Sequence, residues 1–174
     1  DQGRAIRMRR AHEPRPGDCP MSSVADRLDI ADLVARYAHY VDRRDWLALA
    51  ELFTADAELL QPDPPRSLEP ARSLVGRDAI LAAMHALDDI PVTQHAVLGT
   101  VIDFGGPDTA TGWVTGQANH VTSDADKHRN LVWYLHYQDE YRRTANGWRI
   151  ARRAVHIDWI ETRPVRLHRG TATA

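Results

Sequence analysis

Between residues 24 and 43 the apolar positions Ile30, Leu33, Val34, Tyr37 and Val41 recur every three or four residues. That spacing lays a single apolar stripe along an α-helix, which Ser22 or Ser23 can cap. Asp45 is suited to N-cap a second, short helix, WLALAELF, ending near Thr54. AELL at 57–60 then predicts a first strand. Four prolines within QPDPPRSLEP (61–70) predict an irregular surface loop. Gly76 and Asp78 open a third helix, which runs to about Leu87 and buries Ile80, Leu81 and Met84.

Further on, the apolar period shortens and aromatic and β-branched residues accumulate. QHAVLGTVIDF, TATGWVTGQANHV, LVWYLHYQDEYRR and GWRIARRAVHIDWIE read as strands separated by FGGPDT, SDADKHR and TANG. Helices followed by a series of strands predict an α+β domain, with three helices packed on one face of a curved, mostly antiparallel sheet. The concave side of such a sheet and the first helix enclose a cavity. The domain is expected over residues 22–162, after a disordered extension (1–21) and before a C-terminal tail (163–174).

Composition narrows the classes. Hydrophobic residues form 43% of the 174, and the formal charge is -2. Neither disorder nor a nucleic-acid partner is indicated. No stretch approaches the roughly 18 apolar residues of a membrane helix. The single cysteine, Cys19, excludes an intramolecular disulfide framework and a multi-cysteine metal site. A cytoplasmic protein is the expectation. The Arg-, Pro- and Gly-rich first twenty residues have no apolar core of the kind a secretory signal needs. The nine histidines form no HxH, HExxH or 2-His-1-carboxylate pattern, and no metal is expected. GxSxG and Gly-rich phosphate loops are also missing.

The stretch DRLDIADLVARYAHYVDRRDWLALAELFTADAEL, followed much later by EYRRTANGWRIARR, resembles the SnoaL-like branch of the NTF2-like superfamily. The resemblance spans roughly residues 24–160 and implies a cone-shaped α+β barrel. That fold hosts dehydratases, isomerases, cyclases, dioxygenase β subunits and non-catalytic proteins. The motif residues look most like those of the scytalone dehydratase, bile-acid 7α-dehydratase and lindane dehydrochlorinase group. By that resemblance Asp42 ends the first helix, Tyr37 lies five residues before it, and His95 follows the third helix. The implied chemistry is cofactor-independent elimination: His95 as base, Asp42 fixing its tautomer, Tyr37 donating to an oxygen where charge develops.

The alternatives are isomerase or polyketide-cyclase-type chemistry, or a non-catalytic ligand-binding protein. Ketosteroid isomerases carry their base where this chain has Gln61, and glutamine takes no proton at neutral pH. Alternation places His120 with Val114 and Ala118, and Asn119 with Trp113 and Gln117, without deciding which set faces inward. The same holds for Trp133 and Tyr137 against Tyr134 and His136. Asn119, His120, Trp133, Tyr137 and His156 are therefore candidate substrate contacts. A family arginine late in the last strand has no counterpart, since Ile157 stands there beside His156. The expected ligand is small, apolar, and cyclic or aromatic. Trp113, Trp133, Tyr134 and Trp159 point to a homo-oligomer, dimer or trimer, that covers them.

Overall fold

The apolar stripe at residues 30–41 is buried along the first helix, α1 (Pro20–Arg43). The computed structural model describes residues 20–124 and 127–167. Cys19, with most of the expected N-terminal extension, lies outside them, while Pro20 and Met21 already belong to α1. Proline suits a first helical turn, and the early start puts Ser22 and Ser23 inside the helix rather than at its cap. The helix ends on Arg44, whose φ of 59° is left-handed. The Arg44 N–H donates to the Val41 carbonyl (3.2 Å) and the Asp45 N–H to the Tyr40 carbonyl (3.0 Å), a pairing that satisfies the last turn. Asp42 is thereby fixed in the final turn.

Asp45 caps α2 (Trp46–Ala50) through its side chain, which accepts from the Ala48 N–H. α2 is shorter than its sequence pattern suggests, because Phe53 already pairs with Ile150 in the first strand, β1 (Phe53–Asp63). The proline-rich segment is a correction: it forms a hairpin between β1 and β2 (Ser67–Val75), not an irregular loop. β2 lies at a sheet edge, where Pro70 costs no central ladder bond, and Pro62 sits at a register shift. Then come α3 (Arg77–Met84), a 3-10 turn (His85–Leu87), and β3 (Val92–Gly106), β4 (Thr109–Asp124), β5 (Lys127–Thr144) and β6 (Gly147–Val165). β6 remains paired with β5 through Val165, so 163–165 belong to the sheet rather than to a tail. Residues 168–174 lie outside the described part.

All six strands form one sheet in the order β2-β1-β6-β5-β4-β3. β1 and β6 run parallel and the other neighbours antiparallel. Five strand spacings would separate β2 from β3 by about 24 Å on a flat sheet. Residues of both line one cavity, so the sheet curls. Register shifts at Val97/Gly99 and Tyr134/Leu135 mark local bends in the strands. Gly112 on β4 leaves room for its neighbour on β5: a Cβ there would stand 2.6 Å from the Tyr141 ring. α1 lies over β3 and β6, and the core fills the space between. Burying each large aliphatic side chain there contributes roughly 2 kcal/mol. No helix among the described residues is long and apolar enough to cross a membrane.

Candidate active site

Asp42 leaves the last turn of α1 toward the edge strand β3. Thr93 and His95, two apart and so on one face of that strand, both reach it. The His95 Nδ1 lies 2.7 Å from Asp42 Oδ1, and the His95 backbone N–H donates to Oδ2 at 2.8 Å. The Thr93 hydroxyl donates to Oδ1 (3.0 Å) and accepts from the Arg44 guanidinium (2.7 Å). Arg44 also donates to the Val41 and Ile90 carbonyls, joining the end of α1 to the entry of β3. Burial pushes the Asp42 carboxyl up, but the His95 ring and backbone N–H and the Thr93 hydroxyl outweigh it and hold it below the usual carboxylate range. An ionised Asp42 can only accept. In the neutral His95 ring the proton therefore belongs on Nδ1, the tautomer that leaves the Nε2 lone pair free.

His95 lines a cavity of about 300 Å³. Tyr37 and Val41 of α1 form one wall, and Ala82, Ala83 and Met84 of α3 with Ala86 and Leu87 of the following turn form another. Gln61, Pro62 and Arg72 of the β1–β2 hairpin border it, and its floor comes from β4, β5 and β6. Tyr37 is buried, packed edge-on against Phe53 and Tyr137. Burial raises the pKa of its phenol against the opposing charge of Arg153, so it stays a protonated donor at neutral pH. The inward face of β4 carries Ala118 and His120, and that of β5 carries Trp133, Leu135 and Tyr137. His120 stands edge-on to His95 and tilted against Trp133. Burial first, and the nearby His95 second, bring its pKa down to about 4, so it is neutral.

Two predicted contacts do not reach this cavity. Asn119 follows the alternation to the other face, where it donates to the Gln94 carbonyl and accepts from Asn130. His156 also points outward, stacked on His136 and held by Glu69. Of the four aromatics taken as exposed strand residues, Trp133 faces the cavity, while Trp113 and Trp159 stand exposed.

Beneath Tyr37 lies a group that the sequence pattern did not single out. Arg153 of β6 is fully buried, donating to Asp139 Oδ1 (2.8 Å) and Oδ2 (2.6 Å), with Tyr141 donating to the same carboxylate. Its guanidinium carbon is 4.1 Å from the Tyr37 ring centre and 4.2 Å from that of Tyr137. Burial disfavours the charge, but Asp139 outweighs it and keeps the guanidinium protonated. The two phenol rings are thus clamped on one buried cation. A charged residue in an otherwise alternating strand was the available signal, and RIARRAV offers three arginines among which sequence alone does not choose. Among the described residues no cluster of three or more His, Cys, Asp or Glu side chains is placed to hold a metal.

A profile of the SnoaL-like domain matches residues 22–154. This chain belongs to the SnoaL-like family. An uncharacterized protein of Mycobacterium tuberculosis is 29% identical to it over 138 residues, 76% of this chain and 86% of that one. A proposed scytalone dehydratase from Novosphingobium aromaticivorans superposes with a TM-score of 0.72 at 20% identity, covering 90% of this SnoaL-like chain and 99% of that chain. The hexachlorocyclohexane dehydrochlorinase LinA-type3 of Novosphingobium barchaimii superposes with a TM-score of 0.69 at 17% identity, covering 84% and 94%. At these identities the likeness to the two solved structures is one of fold.

Proposed function

We propose that this chain is a small-molecule lyase that carries out a dehydratase-type elimination without a cofactor. The observation that carries the reading is the His95–Asp42 pair beside a mainly apolar cavity that also holds the Tyr37 phenol. The two fold neighbours are named for removal of water and of hydrogen chloride, reactions of the same kind.

Nε2 of His95 takes a proton from a carbon next to a carbonyl, and Asp42 stabilises the imidazolium that forms. Tyr37 donates to the carbonyl oxygen as negative charge gathers on it. When the electrons return, the C–O bond to the β-hydroxyl breaks, and the imidazolium gives its proton to the departing hydroxide as water. Gln61, bordering the same cavity, has no proton-accepting capacity at neutral pH, which favours this reading over an isomerase with its base on β1.

The test is a set of cyclic β-hydroxy ketones, followed by the absorbance of the conjugated product and by deuterium uptake at the α-carbon in heavy water. His95→Ala and Asp42→Asn are expected to lose turnover and exchange while keeping the circular dichroism and melting temperature of the unmodified chain. Undiminished turnover in both folded variants would remove the mechanism.

A further inference from the structure

The hairpin at the cavity mouth carries a charge that the proposed elimination does not use. Arg72 is the sole Lys or Arg among the described residues lining the cavity. Its position follows from strand alternation. On β1, Leu59 is buried and Gln61 shares its face; on β2, Leu74 packs on the core and Arg72 shares that face. Gln61 and Arg72 are direct partners across the ladder. Each carboxylate of the hairpin has another partner: Glu58 takes Arg152 and Ser73, Glu69 takes His156, Asp63 takes Arg66 and Asp56 takes Arg142. Arg77 is spent on Glu51 and the Phe53 carbonyl. Arg72 consequently makes no ion pair or hydrogen bond with any described residue, although it stands at the entrance of a mostly apolar cavity.

A guanidinium prefers a planar two-oxygen acceptor, and a cation beside low-dielectric walls attracts an anion more strongly than one in open water. Arg72 and His95 line the one cavity from the two edge strands of the sheet, β2 and β3, so a ligand can meet both at once. We propose that Arg72, with the Gln61 amide beside it, anchors a carboxylate on the ligand. The ligand class is then an apolar ring acid, its carboxylate at the hairpin and its reacting carbon at β3. The proposal rests on the cavity being the ligand site, as in the elimination reading. A single guanidinium with a neutral amide matches one carboxylate charge better than a phosphate dianion.

Calorimetric titration of the full chain with 2-naphthoate and with its neutral counterpart 2-naphthamide tests this at pH 8, where free imidazole is uncharged. Naphthoate is expected to bind about 10- to 100-fold more tightly, the range for a charge-assisted hydrogen-bonded pair. Arg72→Gln should bring the ratio near one. Arg66→Gln, on the same hairpin but outside the cavity lining, should keep the full preference. Equal affinities for the two probes in the unmodified chain overturn the proposal, as does binding of neither. A preference that survives Arg72→Gln overturns it too and moves the cation elsewhere. Carboxylate preference in a chain that turns over no substrate sinks only the elimination reading. Turnover without that preference sinks only this one.

Discussion

His95 meets Asp42 at 2.7 Å inside the cavity, and His136 meets Asp158 at 3.0 Å on the opposite face of the same sheet. A third pair, His156 with Glu69, stacks beside the second. The imidazoles are equally covered, with side-chain exposures of 12, 14 and 16%. Their carboxylates are not: exposure rises from 22% at Asp42 to 41% at Asp158 and 73% at Glu69. Asp42 also receives the His95 backbone N–H and the Thr93 hydroxyl, which fix the direction of its lone pairs. Contact distance therefore does not distinguish the proposed proton-transfer pair from a surface pair. What distinguishes it is a carboxylate held by several donors in reduced dielectric, next to an empty volume.

That contrast is sharpest under one substitution made on both faces. Asp42→Asn is expected to lower kcat/KM by about 10²- to 10⁴-fold, because the amide no longer enforces the Nδ1–H tautomer or stabilises the imidazolium. Asp158→Asn should leave kcat/KM within about twofold, since that pair lies on the face turned away from the His95 cavity and its carboxylate is wet. Comparable losses in both, measured on the same substrate, would break the distinction.

The order of elements apart from β2, the buried stripe of α1, and the meeting of Asp42 with His95 beside Tyr37 were legible because each is local or rests on a family pattern. Tyr37 and Asp42 share one helix, and a strand with a 2-residue period places Thr93 and His95 together. What was not legible depended on pairing. QPDPPRSLEP reads as a loop until β1 supplies a partner and an edge on which its prolines are tolerated. The inward face of β4 cannot be chosen from alternation alone, since both faces carry a plausible ligand contact, Asn119 and His120. Arg153 and Asp139 meet only because β5 and β6 are adjacent and antiparallel, with Asp139 directly opposite Arg153 in register.

The Arg153–Asp139 pair gives the next largest effect and a contrast between core and rim. Asp139→Leu strands a fully buried guanidinium, at a cost of about 3–5 kcal/mol in urea unfolding. Adding Arg153→Met should recover most of that loss, while the clamp on Tyr37 stays broken and turnover stays low. Asp56→Ala, which removes the exposed partner of Arg142, should cost under about 1 kcal/mol. A double variant no more stable than Asp139→Leu would mean that the pair holds the sheet together rather than only offsetting its own burial.

The cavity face should also be sensitive to pH. His120 is neutral in the folded chain, with its pKa near 4, and returns to about 6.5 when unfolded. Below pH 6.5 the unfolded chain takes up a proton that the folded one refuses. Stability therefore falls as the pH drops from about 6.5 to about 4 and levels off beneath that. The full span is on the order of 3 kcal/mol. Asp42, whose carboxyl is held low, acts in a different window: its contribution is complete above the unfolded value near 3.9 and is lost as pH falls through the lower folded one. Urea midpoints at pH 7, 5.5 and 4.5 should flatten in His120→Asn. An unchanged slope in His120→Asn would show that another group carries the acid sensitivity.

The smallest effect belongs to the outermost pair. Glu69 is the most exposed of the three carboxylates, so solvent and salt screen most of its attraction for His156. Glu69→Gln should change the unfolding free energy by less than about 1 kcal/mol at physiological salt and leave turnover untouched. The substitution nevertheless probes a real connection. His156 is next to Val155, which lines the cavity, and β2 carries both Glu69 and Arg72. If the outer stack held the hairpin in place, loosening it would weaken naphthoate binding without altering the naphthoate-to-naphthamide ratio, because both probes would lose the same wall. A change in that ratio would instead mean that Glu69 tunes the charge of the mouth, and the two faces of the sheet would no longer be independent.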